Sequence, residues 1–334
     1  MIAYRNKFIK KIQDDFPKKR VIVIGDLIVD RYVTGDVKRV SPEAPVLILD
    51  YKKEELKVGG AANVAVNLKT LGCSDVTLIG IANNDKTGIW LKSFLSNFKI
   101  NTIIMSEKNR PTTLKTRYST MNQQLLRIDK EVTYPIDKET EKIILKFVRD
   151  KITEFDALII SDYQKGIFNN ISFIAKIINI CNTNKVPILI DSKSQILKYF
   201  KNADVIKPNN HEVENATGIK IVDNNSLNMA GIKYLNLSKA KALILTKGKD
   251  GISVFLNNKE RKDLISKAHQ VYDVTGAGDT VVCTITLGYV SGLSIYESVQ
   301  LANLAASVVI SKIGTSTVTN EELIKRIIND DFDN

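Results

Sequence analysis

The stretch Asp273-Val274-Thr275-Gly276-Ala277-Gly278-Asp279, followed at once by the apolar run Thr280 to Leu287, sets a carboxylate and small flexible residues at a helix start. Gly276, Ala277 and Gly278 let the backbone turn tightly and approach a ligand, while the free N–H groups of a helix's first turn attract anions. Such a loop suits the charge that develops on a γ-phosphoryl group. Asp279 stands where it would accept the proton of an attacking sugar hydroxyl as ADP leaves. An ordinary glycine loop with Asp279 as helix N-cap is the simpler reading of the same residues. Upstream, Gly59-Gly60-Ala61-Ala62-Asn63 lies where a strand hands over to a helical pattern carried by Val64, Leu68 and Leu71. Glycines there admit a sugar ring against the backbone, and Asn63 would bond its hydroxyls.

These residues need a scaffold. The runs Val21–Ile24, Val76–Ile81, Leu158–Ser161, Ile188–Ile190, Val205–Lys207 and Ala242–Leu245 read as buried strands with helical patterns between them. Continuous apolar strands separated by helices imply a parallel sheet covered on both faces. Sites in such sheets lie at the carboxyl ends of the strands, where Gly59, Asp162, Asp191 and Asn209 are expected. Arg39–Tyr51 and Thr112–Asp129 break the alternation and read as extended strands without helices. Ile295 to Ile328 is helical in pattern, with Leu301, Leu304, Ala305 and Val308 at core spacing.

Composition narrows the classes. With 334 residues, 44% hydrophobic and 25% charged, the chain is an ordinary globular protein. No apolar run is long enough to span a bilayer, and the lysine-rich Met1 to Lys19 lacks a signal peptide's apolar stretch, so no membrane role and a cytoplasmic location are expected. Cys73, Cys181 and Cys283 are odd in number and set among apolar neighbours, hence buried thiols. With only His211 and His269 besides, a zinc site is not expected. The net charge of +11 invites nucleic acid as a partner, but the lysines are dispersed and do not alternate with aromatics as a stacking platform requires. Positive potential serves anionic small substrates equally well. Gly80 to Thr87 ends like a P-loop, yet Asp85 occupies the place of its second glycine, so no phosphate cradle is expected there.

Together, the Gly59–Asn63 and Asp273–Asp279 segments resemble the two signatures of the ribokinase (PfkB) family of carbohydrate kinases. Gly25-Asp26-Leu27-Ile28-Val29-Asp30-Arg31-Tyr32, Arg39-Val40-Ser41-Pro42-Glu43-Ala44-Pro45-Val46, Asn122-Gln123-Gln124, Ser161-Asp162-Tyr163-Gln164-Lys165-Gly166 and Lys312-Ile313-Gly314-Thr315-Ser316-Thr317 fall in an order similar to the D-glycero-β-D-manno-heptose 7-phosphate kinases. The resemblance implies an α/β ribokinase-like three-layer sandwich with a mainly parallel sheet. Its lid would be a small β-sheet from about 39–51 and 112–129 that pairs two copies as a homodimer. One kinase domain would fill 1–334. No match to the His-x-Gly-His signature of an adjoining nucleotidyltransferase domain is seen, so adenylyl transfer is not expected of this chain.

The same resemblance implies roles. Asp279 would be the base, with Gly276, Ala277 and Gly278 the anion hole. Asn209 and Glu212 match an Asn-x-x-Glu motif that organises Mg²⁺ and the ATP phosphates; as residue types they also suit a helix capping box. Lys193 would lie near those phosphates, although Asp191-Ser192-Lys193-Ser194 departs from the commoner Asp-Pro-Lys-Gly. Thr246, Gly248 and Gly251 would border the nucleotide, or simply form a hairpin turn. Asp30 would bond ring hydroxyls beside Gly59, Gly60, Asn63 and Asp162; Asp26 fits a turn equally well. A sugar phosphate needs cations, and Arg39, Lys115, Arg117, Arg127 and Lys165 are available, the choice among them open. Asp273, Thr275, Gly314 and Ser316 would surround a monovalent cation such as K⁺. Kinases for fructose 1-phosphate, tagatose 6-phosphate or ribose, and a non-catalytic sugar-binding relative, are the alternatives.

Overall fold

The computed structural model describes residues 2–121, 123–257, 260–267, 275–312 and 316–330. Its strands are β1 (Arg20–Gly25), β2 (Leu27–Val40), β3 (Leu47–Gly59), β4 (Asp75–Ile81), β5 (Asn101–Met105), β6 (Thr113–Thr120) and β7 (Gln123–Lys130). They continue with β8 (Ala157–Asp162), β9 (Ile188–Ser192), β10 (Val205–Ile206), β11 (Ala242–Thr246), β12 (Ile252–Leu256) and β13 (Arg261–Leu264). A nine-stranded sheet runs β13-β12-β11-β10-β9-β8-β1-β4-β5, all pairs parallel but the two made by β12, which alone runs against the others.

Period-two alternation makes three layers of this sheet. Val21, Val23, Ala157, Ile159, Ala242 and Ile244 face one core with the helices Gly60–Thr70, Ala277–Val290 and Ile295–Val309. Their strand neighbours Ile22, Ile24, Leu158, Ile160, Leu243 and Leu245 face the other, with Lys138–Lys151, Ile171–Thr183 and Asn224–Ser238. Both faces are therefore dry, as the unbroken apolar runs require. The result is a ribokinase-like α/β fold. Among the described residues no helix is long and apolar enough to cross a membrane.

A separate four-stranded sheet, β3-β2-β6-β7, pairs β2 with β6 in parallel and its outer pairs antiparallel. It exceeds the segments expected from the sequence, because β2 begins at Leu27 and β3 runs to Gly59. Gly59 consequently ends a strand of this small sheet and not of the large one. The helical pattern from Ile295 divides into Ile295–Val309 and Asn320–Ile328. Asp85 caps the helix Lys86–Asn97 by accepting from the Gly88 amide, which gives the P-loop look-alike a structural task.

Candidate active site

Gly276 sets the geometry. It precedes the helix Ala277–Val290 in the left-handed region, at φ 85°, where a side chain would be strained. Gly276 is thus the N-cap, and Asp279, the third residue of the helix, is not. The Asp279 carboxylate turns instead toward two donors: Asn63 Nδ2 lies 2.6 Å from its Oδ2 and Tyr163 Oη 3.0 Å from its Oδ1. Burial and the nearby Asp191 carboxylate push its pKa up to about 6, with Asn63, the Lys207 charge and Tyr163 pulling the other way. A carboxylate tuned so stays ionised at neutral pH and remains a competent base.

Behind Asp279 the polar chain continues. Asn67 donates to Asn63 Oδ1 at 3.3 Å and accepts from Thr280 Oγ1 at 2.7 Å, which ties the helix Gly60–Thr70 to the helix that carries Asp279. These groups are buried, so each needs its partner.

A cavity of about 700 Å³ opens in front of Asp279, with Gly59, Gly60, Asp30, Tyr163, Thr275 and Gly276 in its wall. Five cations also line it: Lys115, Arg117, Arg127, Lys165 and Lys193. Arg117 pairs with Asp30. Lys115 is held by Asp129 at 2.9 Å and Glu131 at 2.7 Å, Lys165 by Glu131 at 2.7 Å, and Arg127 by Asp129 at 2.6 Å. Two carboxylates therefore fix three cations at the cavity, leaving one net positive charge among them.

A second cavity, of about 410 Å³, meets the same turn from its other side through Ala277 and Gly278. Asn209, Thr246, Gly248 and Gly251 border it, together with Lys207, Asn303 and Ser307. The hairpin between β11 and β12 supplies Gly248 and Gly251, both at positive φ, so that segment is a turn and a cavity wall at once. Asn209 and Glu212 form a capping box on the helix Asn210–Thr217, their side chains exchanging bonds of 2.9 and 2.8 Å with each other's amides. His211 is exposed and contacts Asn215.

Several expected contributors lie elsewhere. Arg39 is exposed near the far end of β2 and joins neither cavity. It shares that strand with Asp30, and nine residues of extended chain separate them by about 30 Å. Asn63 and Asp162 are buried behind the cavity wall: Asn63 serves Asp279, and Asp162 accepts from Ser192 Oγ at 2.6 Å and the Gln164 amide at 2.8 Å. Lys193 faces the first cavity, its Nζ 4.1 Å above the Tyr163 ring. Asp26 fixes the turn after β8, accepting from the amides of Tyr163 at 2.8 Å and Lys165 at 3.0 Å. Asp273, Gly314, Asn122 and His269 lie outside the described residues. Thr275 and Ser316 are described, and among the described residues no cluster of three His, Cys, Asp or Glu suits a metal.

Lys207 and Tyr163 join the site without a role foreseen from residue type. Lys207 is buried, 3.1 Å from Asp191, and a Cβ placed on Gly278 would lie 3.2 Å from its Nζ. A charged residue closing a wholly apolar strand was the available signal, because a buried lysine is retained only when paired.

Residues 18–322 match the family described as pfkB family carbohydrate kinase. The bifunctional protein HldE of Syntrophotalea carbinolica is 37% identical over 317 residues, 95% of this chain and 64% of that protein. HldE of Helicobacter hepaticus is 37% identical over 309 residues, 92% and 64% of the two chains. The chain thus spans less than two thirds of the length of these curated relatives. Among solved structures, Arabidopsis thaliana ribokinase complexed with ribose and ATP superposes with a TM-score of 0.75 at 20% identity, covering 92% of this chain and 98% of that one. Escherichia coli phosphofructokinase-2 in complex with potassium gives 0.75 at 17% identity, with 93% and 98% covered. At such identities the likeness speaks for the fold alone.

Proposed function

The chain belongs to the pfkB family of carbohydrate kinases, and on that premise we propose that it transfers the γ-phosphoryl group of ATP to the C1 hydroxyl of D-glycero-β-D-manno-heptose 7-phosphate. The product would be the 1,7-bisphosphate, made in the cytoplasm on the route to ADP-heptose and lipopolysaccharide cores. One observation carries the reading: a single cavity joins the Asp279 carboxylate to the cations Lys115, Arg127 and Lys165. A sugar with a hydroxyl to deprotonate and a phosphate to neutralise has both its needs met there. The sequence blocks Ser41–Val46 and Asn122–Gln124 favour a heptose over the other sugars.

In this reading the acceptor's ring lies against Gly59 and Gly60, where no side chain intrudes, and bonds Asp30. Asp279 takes the proton of the C1 hydroxyl as its oxygen bonds to the γ-phosphorus and ADP leaves. The N–H groups following Gly276 meet the phosphoryl group as it passes between the two cavities, and the Lys207 ammonium adds its charge beneath Gly278. Positioning and charge neutralisation supply most of the rate, since phosphoryl transfer leaves the protein little covalent work. ATP would occupy the second cavity, against Thr246, Gly248, Gly251 and Asn209. Asn209 and Glu212 offer the oxygen donors that would hold Mg²⁺, which when bound would neutralise charge on the phosphate chain. Asp273 and Thr275 would hold a monovalent cation. A second copy of the chain would cover Val40, Leu47, Tyr51, Leu126 and Ile128, all exposed on the small sheet, and Val46 just before β3.

ADP release with ATP and Mg²⁺ tests this, using heptose 7-phosphate, fructose 6-phosphate, fructose 1-phosphate and ribose in parallel, with Asp279→Asn as control. Turnover on the heptose alone, lost in the variant, is expected. Turnover confined to another sugar would overturn the acceptor, and none on any sugar would favour a binding protein.

A further inference from the structure

We infer that Tyr163 is the positioning residue of the base: its phenol holds Asp279 Oδ1 so that the carboxylate presents a free lone pair to the acceptor hydroxyl. The inference rests on Asp279 acting as the base and goes beyond that reading, because Tyr163 takes no part in a simple account of proton removal.

The geometry carries it. Asp279 is buried except where it meets the cavity, and its two oxygens are engaged from different elements. Asn63, on the helix Gly60–Thr70, takes Oδ2 from behind; Tyr163, in the loop after β8, takes Oδ1 from within the cavity wall. A carboxylate oxygen accepts along two lone-pair directions, so each donor occupies one and leaves another. Two donors on two elements fix the carboxylate plane, as one cannot. Tyr163 is itself held at both ends, by the Asp26 carboxylate on its amide and the Lys193 ammonium over its ring. A cation on the ring face draws electron density from the phenol and makes its hydroxyl a better donor. Burial and Asp279 keep that hydroxyl protonated, with a pKa well above the ordinary tyrosine value.

Asp191 on β9, Lys207 after β10, Lys193 after β9 and Cys283 on the base's own helix also act on Asp279 or are acted on by it. Asp191 favours the protonated acid; Lys207, Asn63 and Tyr163 favour the carboxylate. Removing the phenol hydroxyl leaves the others in place.

The test is the pH profile of kcat/KM for wild type and Tyr163→Phe, with the same acceptor and ATP. Any ionisation of the acceptor's phosphate is common to both enzymes and cancels. The acid limb is expected to move up by about half a pH unit, as befits loss of one hydrogen bond to a carboxylate. On the alkaline plateau kcat should fall severalfold and the KM for ATP should not change. An acid limb that coincides with wild type overturns the inference, whatever happens to the plateau. Asp279→Asn, run alongside, separates the two claims: full activity in that variant refutes the base itself, whereas a dead Asn variant with an unshifted Phe variant refutes only Tyr163.

Discussion

The Lys207 ammonium lies 3.1 Å from the Asp191 carboxylate, at the carboxyl ends of neighbouring strands β10 and β9 and directly beneath Gly278. Burial opposes the lysine's charge, yet Asp191 and Glu212 outweigh it and raise its pKa above the ordinary lysine value. Lys207 is therefore a permanent cation at the turn shared by the two cavities. Lys207→Met is expected to lower kcat by about 100-fold or more, the scale of losing one charge-stabilising group at a transition state. Steady-state kinetics check this; a kcat within twofold of wild type would remove Lys207 from the chemistry.

Gly59 makes a sharper probe of the acceptor side. A Cβ there would stand 2.6 Å from Asp30 Oδ2, too close to be borne without displacing the carboxylate from its pairing with Arg117. Gly59→Ala should raise the acceptor KM by about tenfold, the equivalent of one misplaced hydrogen bond, and leave the KM for ATP unchanged. Equal increases in both constants would show that the glycine serves the fold and not the sugar.

Much of this was legible in the sequence, for definite reasons. The six runs from Val21 to Leu245 appear as β1, β4, β8, β9, β10 and β11 because strands buried on both faces must be apolar throughout. Gly276 and Gly278 announced a tight turn at a helix start, and the structure puts a positive φ at Gly276. Arg39 went astray because residue type does not reveal how far a strand travels: β2 carries Asp30 into the cavity and Arg39 far out of it. Asn63 was assigned to the sugar because the sequence cannot say which way an amide faces, and it faces Asp279. The cations needed partners to be told apart. Arg127 and Asp129 share a face of β7, but only the fold brings Asp129 and Glu131 against Lys115 and Glu131 against Lys165.

Arg127 is the most accessible of that trio, and Asp129 beside it is held well below the usual carboxylate range, chiefly by the Arg127 guanidinium. Arg127→Gln removes one charge with little packing to lose. For a phosphorylated acceptor kcat/KM should drop by about tenfold or more, the worth of a charge-assisted contact, with no change for the same sugar lacking its phosphate. A parallel loss on both acceptors would mean that Arg127 shapes the small sheet without meeting the phosphate.

Asp26 links the site to stability. It is wholly buried under the Tyr163–Lys165 turn, its Oδ1 has no hydrogen-bond partner among the described residues, and burial followed by the Asp162 charge raises its pKa to about 7. The folded chain therefore keeps a proton on Asp26 that the unfolded chain sheds near the ordinary carboxylate value. The associated stability is complete below about pH 4 and is lost as pH rises through about 7. Asp26→Asn keeps an oxygen for the Tyr163 and Lys165 amides and removes the titration. Thermal melts should show the variant gaining on wild type by a few degrees between pH 5 and pH 8, because about 1 kcal/mol moves the midpoint of a domain this large by about 2–4 °C. A melting difference that stays constant across that interval would mean that Asp26 is ionised in the folded protein throughout, with its unpartnered oxygen stabilised by a group that supports the charge.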